Sequence, residues 1–164
     1  MSDKARTRVF ISYRVRDSSY AVDRLDEWLT QAFGSGAVFR DVRAIRAGLP
    51  FSEEIENALQ SAEIGLVVIG ALWLEKDSET GKRRIDDKED WVRREVETLL
   101  KRQTDTGDPI PVIPVLLGGE EPLGEGDLPE SLRDLARRNA KNLRPEPEFE
   151  ESVRQLIAHI ASLL

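Results

Sequence analysis

The amino-acid sequence predicts an α/β fold, an open and doubly wound parallel sheet of four or five strands with helices on both faces. Short apolar runs alternate with longer segments in which apolar residues recur at helical spacing. One apolar run, 64–69, contains no polar residue, which is typical of a parallel strand covered on both faces. The alternation runs from end to end without an internal repeat, as in flavodoxin-like architectures.

The first half of the chain is predicted to supply three strands and two helices. The strands are the apolar runs 9–11, 37–39 and 64–69. Helical spacing over 21–32 predicts the first helix, which Asp17 or Ser18 can cap and Gly34 can end. A second helix, 51–59, is amphipathic and acidic on its outer face.

The second half contains a helical pattern within 86–102, and a long polar loop, roughly 75–89, leads into that helix. The run 110–117 predicts a fourth strand. Because Pro111 and Pro114 lack an N–H, we expect this strand to be ragged or to lie towards an edge. The remaining expected elements are a helix at 129–136, a very short strand at 142–143 and a closing helix at 149–164.

Length and composition predict one soluble domain. The chain has 164 residues, 40% of them hydrophobic and 34% charged. We expect residues 1–7 to be a polar leader and residues 8–164 to form a single domain. The start has no apolar signal sequence, and the longest apolar run, 64–74, is too short to span a bilayer. The expected location is cytoplasmic, with no membrane partner.

Charge and residue usage exclude several function classes. The net charge is -7 and the basic residues are mixed with acids, which argues against direct binding of nucleic acid. The absence of cysteine excludes disulfides and thiolate metal sites. A single histidine, His159, leaves no His-based metal cluster and no Ser-His-Asp triad.

The candidate site centres on Trp91 and Glu95. If 86–102 is a helix, these residues lie one turn apart at the edge of a buried stripe formed by Val92, Val96 and Leu99. A carboxylate at the rim of a core is partly desolvated, and it can hold a raised pKa or stabilise a nearby cation. Alternatively, Glu95 is a surface acid and Trp91 a packing residue, as Trp28 and Trp73 are expected to be.

The predicted topology brings further segments to the same place. Ligands of open parallel sheets bind at the carboxyl ends of the strands. The segments expected there are 12–17, 40–50, 70–73 and the start of the helix at Asp90. The first of them lacks the glycines of a dinucleotide-binding turn and the phosphate loop of a flavodoxin. The strand 64–69 does not end in the aspartate of a response regulator, and no P-loop, GxSxG elbow or HExxH motif occurs.

Several segments together resemble the TIR family (Toll/interleukin-1 receptor domain) in its bacterial, NAD-hydrolysing form. They are Val9-Phe10-Ile11-Ser12-Tyr13, Val38-Phe39-Arg40-Asp41 with the loop from Ile45 to Gly48, Asp90-Trp91-Val92-Arg93-Arg94-Glu95, and Ile113-Pro114-Val115-Leu116 with Leu128-Pro129. The third segment is similar to the family's Trp-x-x-x-Glu signature. Two departures are Ala47, where many relatives have proline, and a last helix without a Phe-Trp pair.

The resemblance implies cleavage of the bond between nicotinamide and ribose in NAD+, giving nicotinamide and ADP-ribose or a cyclic variant. Nicotinamide is a good leaving group, so the catalytic task falls on Glu95, which stabilises the oxocarbenium-like ribose. The substrate-binding residues that the resemblance implies are Trp91, Ser12, Tyr13, Arg14, Asp41 and Gly48. Of these, Asp41 and Gly48 are expected mainly to shape the loop after the second strand. NAD+ is the substrate and no cofactor is expected.

The family also implies partners and leaves alternatives. Self-association of TIR domains, a sensor domain or separate sensor protein, and a role in bacterial anti-phage defence are expected. The first alternative is a non-catalytic module that only pairs with other TIR domains. The second is an enzyme similar to nucleoside 2-deoxyribosyltransferases, which uses a carboxylate nucleophile on a related sheet.

Overall fold

A computed structural model describes residues 8–40 and 53–164 of the chain. The strands are β1 (Val9–Ser12), β2 (Val38–Arg40), β3 (Ile64–Ile69), β4 (Val112–Leu117) and β5 (Lys141–Leu143). The α-helices are α1 (Val15–Phe33), α2 (Glu53–Ser61), α3 (Trp91–Lys101) and α4 (Phe149–Leu163). Three segments form 3-10 helices, at Arg84–Asp86, Glu125–Asp127 and Glu130–Arg137. The predicted site positions Asp41 and Gly48 lie outside the described residues.

The strands form one parallel sheet in the order β2-β1-β3-β4-β5. This is the flavodoxin-like order, in which the chain adds β2 on one side of β1 and then continues on the other side. The predicted doubly wound α/β fold is therefore confirmed, including the very short last strand. The strand β3 occupies the centre and is buried at every residue, as its uninterrupted apolar sequence predicted.

Helices cover both faces of the sheet. One apolar cluster packs α1 and α4 against Val9 and Ile11 of β1, and the other packs α2, α3 and the segment Glu130–Arg137 against Phe10. Side chains alternate along a strand, so Ser12 points to the same face as Phe10 and therefore towards α3. Among the helices in the described ranges, none has the length and apolar character needed to cross a bilayer.

The predicted start of the first helix is wrong, and the cause is a hydrogen bond to a distant segment of the chain. The helix α1 begins at Val15 with Arg14 at the N-cap, and Asp17 is not its cap. The Asp17 carboxylate instead accepts a hydrogen bond of 3.0 Å from the Leu72 amide. The helix α3 begins at Trp91 with Asp90 as its N-cap, which agrees with the predicted loop to residue 89 and helix start at Asp90.

The fourth strand differs from its prediction. It is continuous over Val112–Leu117 and lies between β3 and β5, not at an edge. The Pro111 carbonyl accepts from Gly65 of β3, so by alternation the Pro114 nitrogen faces the β5 side. The pairing with β5 begins only at Val115, so the missing N–H of Pro114 interrupts no ladder bond. The segment predicted as a helix at 129–136 is a 3-10 helix, Glu130–Arg137.

Candidate active site

The sheet reverses its direction of growth at the carboxyl ends of β1 and β3, which is where open parallel sheets form a ligand-binding crevice. The strand β1 has β2 on one side and β3 on the other, so the connections leaving β1 and β3 cover opposite faces. Three segments lie at this edge: residues 12–14 after β1, residues 70–73 after β3, and the N-terminus of α3. These are segments that the sequence placed at the carboxyl ends of the strands.

Glu95 lies inside this edge, in contact with Ser12. The Ser12 hydroxyl donates a hydrogen bond of 3.2 Å to Glu95 Oε1, joining residues 83 positions apart. Glu95 is 3% exposed and Ser12 is 0% exposed. Both belong to elements whose positions are fixed by the core, β1 through Phe10 and α3 through Val96. The predicted meeting of the first strand and the Glu95 helix is therefore seen in the structure.

Trp91 is the first residue of α3 and is half-buried. It lies one turn before Glu95, on the same side of the helix. The Arg94 guanidinium lies over its indole, 5.9 Å from the ring centroid. The other two tryptophans differ from each other. Trp73 is fully buried, as predicted for a core residue, whereas Trp28 is only partly buried against the cluster of α1 and α4.

Arg14 has a different environment from the substrate contact that was expected. Its NH1 and NH2 donate to the two carboxylate oxygens of Asp90 at 3.0 and 2.9 Å. Its Nε donates to the Trp73 carbonyl at 3.0 Å, and the guanidinium lies 5.9 Å from the Trp73 ring centroid. The side chains of Arg14 and Asp90 are each 3% exposed, which makes this a buried bidentate ion pair.

Asp90 is the site residue that the sequence reasoning did not assign. It is the N-cap of α3, and its carboxylate accepts from the Arg93 amide at 3.3 Å. An aspartate directly before a helical run is a known start signal, so its capping role was readable from the sequence. Its pairing with Arg14 was not, because 76 positions separate the two residues.

The turn after β3 is held to α1 by Asp17. The Asp17 carboxylate accepts from the Leu72 amide and from the Ser18 hydroxyl. Gly70 approaches this pair so closely that a Cβ there would lie 2.9 Å from Asp17 Oδ2 and 3.0 Å from Ser18 Oγ. The close approach fixes the position of the segment that carries the Trp73 carbonyl.

Tyr13 is not brought to the Glu95 side of the sheet. It is 6% exposed and belongs to the apolar cluster of α1 and α4, on the opposite face from Ser12. Strand alternation explains this placement, since Tyr13 follows Ser12 directly. Of the predicted site residues that the structure describes, Ser12 contacts Glu95 directly, Arg14 is linked to its helix through Asp90, and Trp91 lies on that helix.

Two partly exposed arginine-carboxylate groups follow β2 and precede α3. Burial alone would lower the pKa of Arg40, at the end of β2, but its hydrogen bond with Asp23 and its pairing with Asp26 raise it. Arg83 donates to Asp86 at 2.8 and 2.9 Å, and this hydrogen bonding lowers the pKa of the Asp86 carboxyl. The first group links the end of β2 to α1, and the second lies in the loop before α3.

The arrangement favours stabilisation of a cation. It offers a buried carboxylate oriented by a hydroxyl, with an indole one turn away. Within the described residues, no group of three or more His, Cys, Asp or Glu side chains is placed to hold a metal ion.

A family model described as "TIR domain" matches residues 9–157. No curated protein matches the chain. Among solved structures, the TIR domains of the activated Roq1 resistosome directly recognizing the pathogen effector XopQ align with a TM-score of 0.65 and 16% identity, covering 94% of this chain and 99% of that one.

A second solved structure is a metazoan TIR-STING receptor from C. gigas in complex with 2',3'-cGAMP. It aligns with a TM-score of 0.56 and 18% identity over 91% of this chain. The alignment spans 38% of that receptor. At these identities the two structures establish a shared fold for the described sheet and helices.

Proposed function

The chain belongs to the TIR domain family, and we propose that it is an NAD+ nucleosidase with Glu95 as its catalytic residue. The proposed reaction breaks the bond between nicotinamide and C1 of the ribose. Nicotinamide leaves with the bonding electron pair and becomes neutral. Water, or a nucleophilic atom of the same molecule, then attacks C1 and releases one proton, giving ADP-ribose or a cyclic variant. NAD+ is the substrate, and the proposal requires no cofactor.

The single observation that carries the proposal is the hydrogen bond from Ser12 to Glu95 at the sheet crevice. It connects a carboxylate on α3 to the end of β1, at the position where ligands of this fold bind. A carboxylate fixed in this way can face the positive charge that develops on the ribose without reorganising during the reaction. We therefore assign electrostatic stabilisation of that charge to Glu95.

Trp91 is proposed to bind the nicotinamide end of the substrate. The nicotinamide ring of NAD+ is cationic, and a tryptophan face attracts cations and flat rings. Trp91 is half-buried and lies one helical turn from Glu95, so a ring stacked on it would place the ribose near the carboxylate. Ser12 is proposed to orient Glu95 and to contact the ribose.

The experiment is measurement of nicotinamide release from NAD+ by the purified protein at high concentration, with the products separated by chromatography. Glu95→Gln keeps the shape of the side chain and removes its charge, and we expect a loss of at least about 100-fold in rate. The matched control is Glu97→Gln on the same helix. The Glu97 carboxylate lies 3.6 Å from Nε of Arg93 and pairs with it, not with Ser12. Equal activity of Glu95→Gln and Glu97→Gln would refute the assignment.

Access to the site is proposed to depend on self-assembly. Glu95 is 3% exposed, so the ribose can reach its carboxylate only if neighbouring groups move. We propose that association between copies of the domain drives this change and that a sensor domain or separate sensor protein triggers it, in a cytoplasmic bacterial defence response. Specific activity should then rise with protein concentration. A constant specific activity over a wide range would contradict this part of the proposal.

The alternative is a TIR domain that only assembles with other TIR domains. The burial of Glu95 favours it, because a carboxylate that accepts from Ser12 inside the fold can serve packing alone. The two functions separate in one experiment. A scaffold would self-associate equally as wild type and as Glu95→Gln, and neither would release nicotinamide at any concentration.

A further inference from the structure

We infer that Arg14 and Asp90 form a positioning pair that holds Glu95 against Ser12, and that Arg14 does not contact the substrate. This inference rests on the proposed function, in which Glu95 is the catalytic residue. It departs from the expectation that Arg14 binds the ribose, phosphate or amide of NAD+. It also gives Asp90 a role beyond capping α3.

The first argument is that the Arg14 guanidinium already donates hydrogen bonds to acceptors of the protein. Each of the three nitrogens of Arg14 donates to an acceptor of the protein, two to Asp90 and one to the Trp73 carbonyl. Only 3% of the side chain is exposed. The bidentate face of the guanidinium and its Nε–H are therefore occupied, which leaves two of its five N–H groups. A phosphate or amide that took the bidentate face would displace a buried acceptor and leave a charge or a carbonyl without its partner.

The second argument is the geometry of the two contacts between β1 and α3. Ser12 meets Glu95, and two residues further along Arg14 meets Asp90. Two extended residues advance about 6.6 Å, and the five residues from Asp90 to Glu95 advance about 7.5 Å along a helix. These lengths match, so the Ser12–Glu95 and Arg14–Asp90 contacts link the same two segments at two points. Losing one contact allows the N-terminus of α3 to rotate or shift relative to β1.

The third argument is the connection to β3. The Trp73 carbonyl that Arg14 contacts belongs to the turn after β3, and Asp17 holds the same turn to α1 through the Leu72 amide. One buried guanidinium therefore joins all three segments of the crevice. A lysine at this position keeps the charge but offers a single nitrogen, so it cannot hold both Asp90 oxygens and the carbonyl in this geometry.

The test compares kcat and KM for Arg14→Lys, Asp90→Asn and wild type in nicotinamide release. Asp90→Asn keeps an oxygen acceptor for the Arg93 amide, so the cap of α3 survives while the charge pair is lost. For both variants we expect kcat to fall about 10- to 100-fold, because small misplacements of a reacting group have effects of this size. We expect KM to stay within about threefold of wild type.

The matched control is Arg138→Lys at the opposite edge of the sheet. Arg138 also pairs with a carboxylate, Asp134, and donates to a backbone carbonyl, that of Ile110. Urea denaturation measures the stability of both lysine variants separately. A fall in kcat of folded Arg14→Lys that folded Arg138→Lys does not share then reports positioning of Glu95. A tenfold or larger rise in KM with unchanged kcat for Arg14→Lys would overturn the inference and make Arg14 a substrate-binding residue. Unchanged kcat and KM would overturn it as well.

A second readout separates positioning from the proposed function. Ser12→Ala removes the hydrogen bond between Ser12 and Glu95. Its effect on kcat should be less than additive with that of Arg14→Lys if both residues act through Glu95. Fully additive effects would overturn the inference. If the wild type releases no nicotinamide, the proposed function fails, and amide hydrogen exchange of residues 93–95 decides the positioning role. Faster exchange there in Arg14→Lys than in Arg138→Lys supports it, and equal exchange refutes it.

Discussion

The two ends of the sheet are closed by polar contacts of different kinds. At the amino end, Arg8 pairs with Glu63 through side chains that are 39% and 36% exposed. Arg102 there donates to the Leu59 and Ala62 carbonyls at the end of α2. At the carboxyl end, Arg14 and Asp90 are each 3% exposed.

The difference shows that the fold does not need buried charge to join its elements. The amino end connects strands and helices of the same sheet with half-exposed groups. Burying an ion pair carries a large desolvation penalty, and apolar residues of similar volume often serve stability as well or better. The buried charges of the carboxyl end are therefore better explained by the geometry of the candidate site than by stability.

The largest expected effect on stability follows from breaking the buried pair. Arg14→Met removes the positive partner and leaves the Asp90 carboxylate buried without its countercharge. We expect the free energy of unfolding to fall by about 3–5 kcal/mol, measured by urea denaturation.

The double variant Arg14→Met/Asp90→Asn sharpens this result. Asparagine removes the buried charge and keeps a cap acceptor for the Arg93 amide, so part of the lost stability should return. A double variant no more stable than Arg14→Met alone would show that the loss comes from the contacts with Trp73 and not from the uncompensated carboxylate.

The sequence was sufficient for the sheet because strand signals are local. The run 64–69 matches β3 residue for residue, and the end of α1 at Phe33 lies next to the predicted stop, Gly34. Where prediction of the fold failed, tertiary contacts had replaced a local preference. Asp17 is of a residue type that caps helices, yet its carboxylate accepts a hydrogen bond from the Leu72 amide in another segment. Proline is typical of edge strands, yet Pro114 lies in an inner strand. Its nitrogen faces the β5 side, where pairing begins only at Val115.

The candidate site was predictable in part for the same reason. The helical spacing of Trp91 and Glu95 and the end of the first strand at Ser12 are local features, and the topology brought them together. Strand alternation would also have placed Tyr13 on the opposite face, had it been applied to the residue after Ser12. The Arg14–Asp90 pair depends on the exact packing of segments 76 positions apart, which no local pattern reports.

A smaller loss of stability is expected at the carboxyl end of the sheet, where the Gly70 backbone contacts the Asp17 side chain. Gly70→Ala places a Cβ 2.9 Å from Asp17 Oδ2, and Asp17 cannot move without losing its bond to the Leu72 amide. We expect destabilisation of about 1–3 kcal/mol by overpacking. The control is Gly126→Ala, since a Cβ there meets nothing within 4 Å. Thermal unfolding of both variants checks the prediction, and equal melting temperatures would contradict it.

The amino end should respond weakly to loss of a charge. Arg8→Gln removes one partner of the half-exposed pair with Glu63, whose charge stays solvated. We expect the free energy of unfolding to change by less than about 1 kcal/mol and to change less at high salt. A loss as large as that of Arg14→Met would remove the distinction between the two ends.

The smallest loss of stability is expected from a charge pair that is exposed but lies near the carboxyl end. It tests whether burial or location causes the difference between the two ends of the sheet. Arg83 and Asp86 lie in the loop before α3, near the carboxyl end, but their side chains are 23% and 43% exposed. Hydrogen bonding to Arg83 lowers the pKa of Asp86 from its ordinary value of 3.8. A lowered folded-state pKa contributes stability above the unfolded value, and this contribution is lost as the pH falls through the folded value.

Asp86→Asn should therefore destabilise the protein by less than about 1 kcal/mol at pH 7, because the pair is largely screened by solvent. The difference from wild type should shrink below about pH 4 as the wild-type carboxyl is protonated. Urea denaturation of both proteins between pH 7 and pH 3 measures it. If burial sets the difference between the two ends, this exposed pair behaves as Arg8 and Glu63 do. A pH-independent loss comparable to that of Arg14→Met would instead assign the difference to location at the carboxyl end.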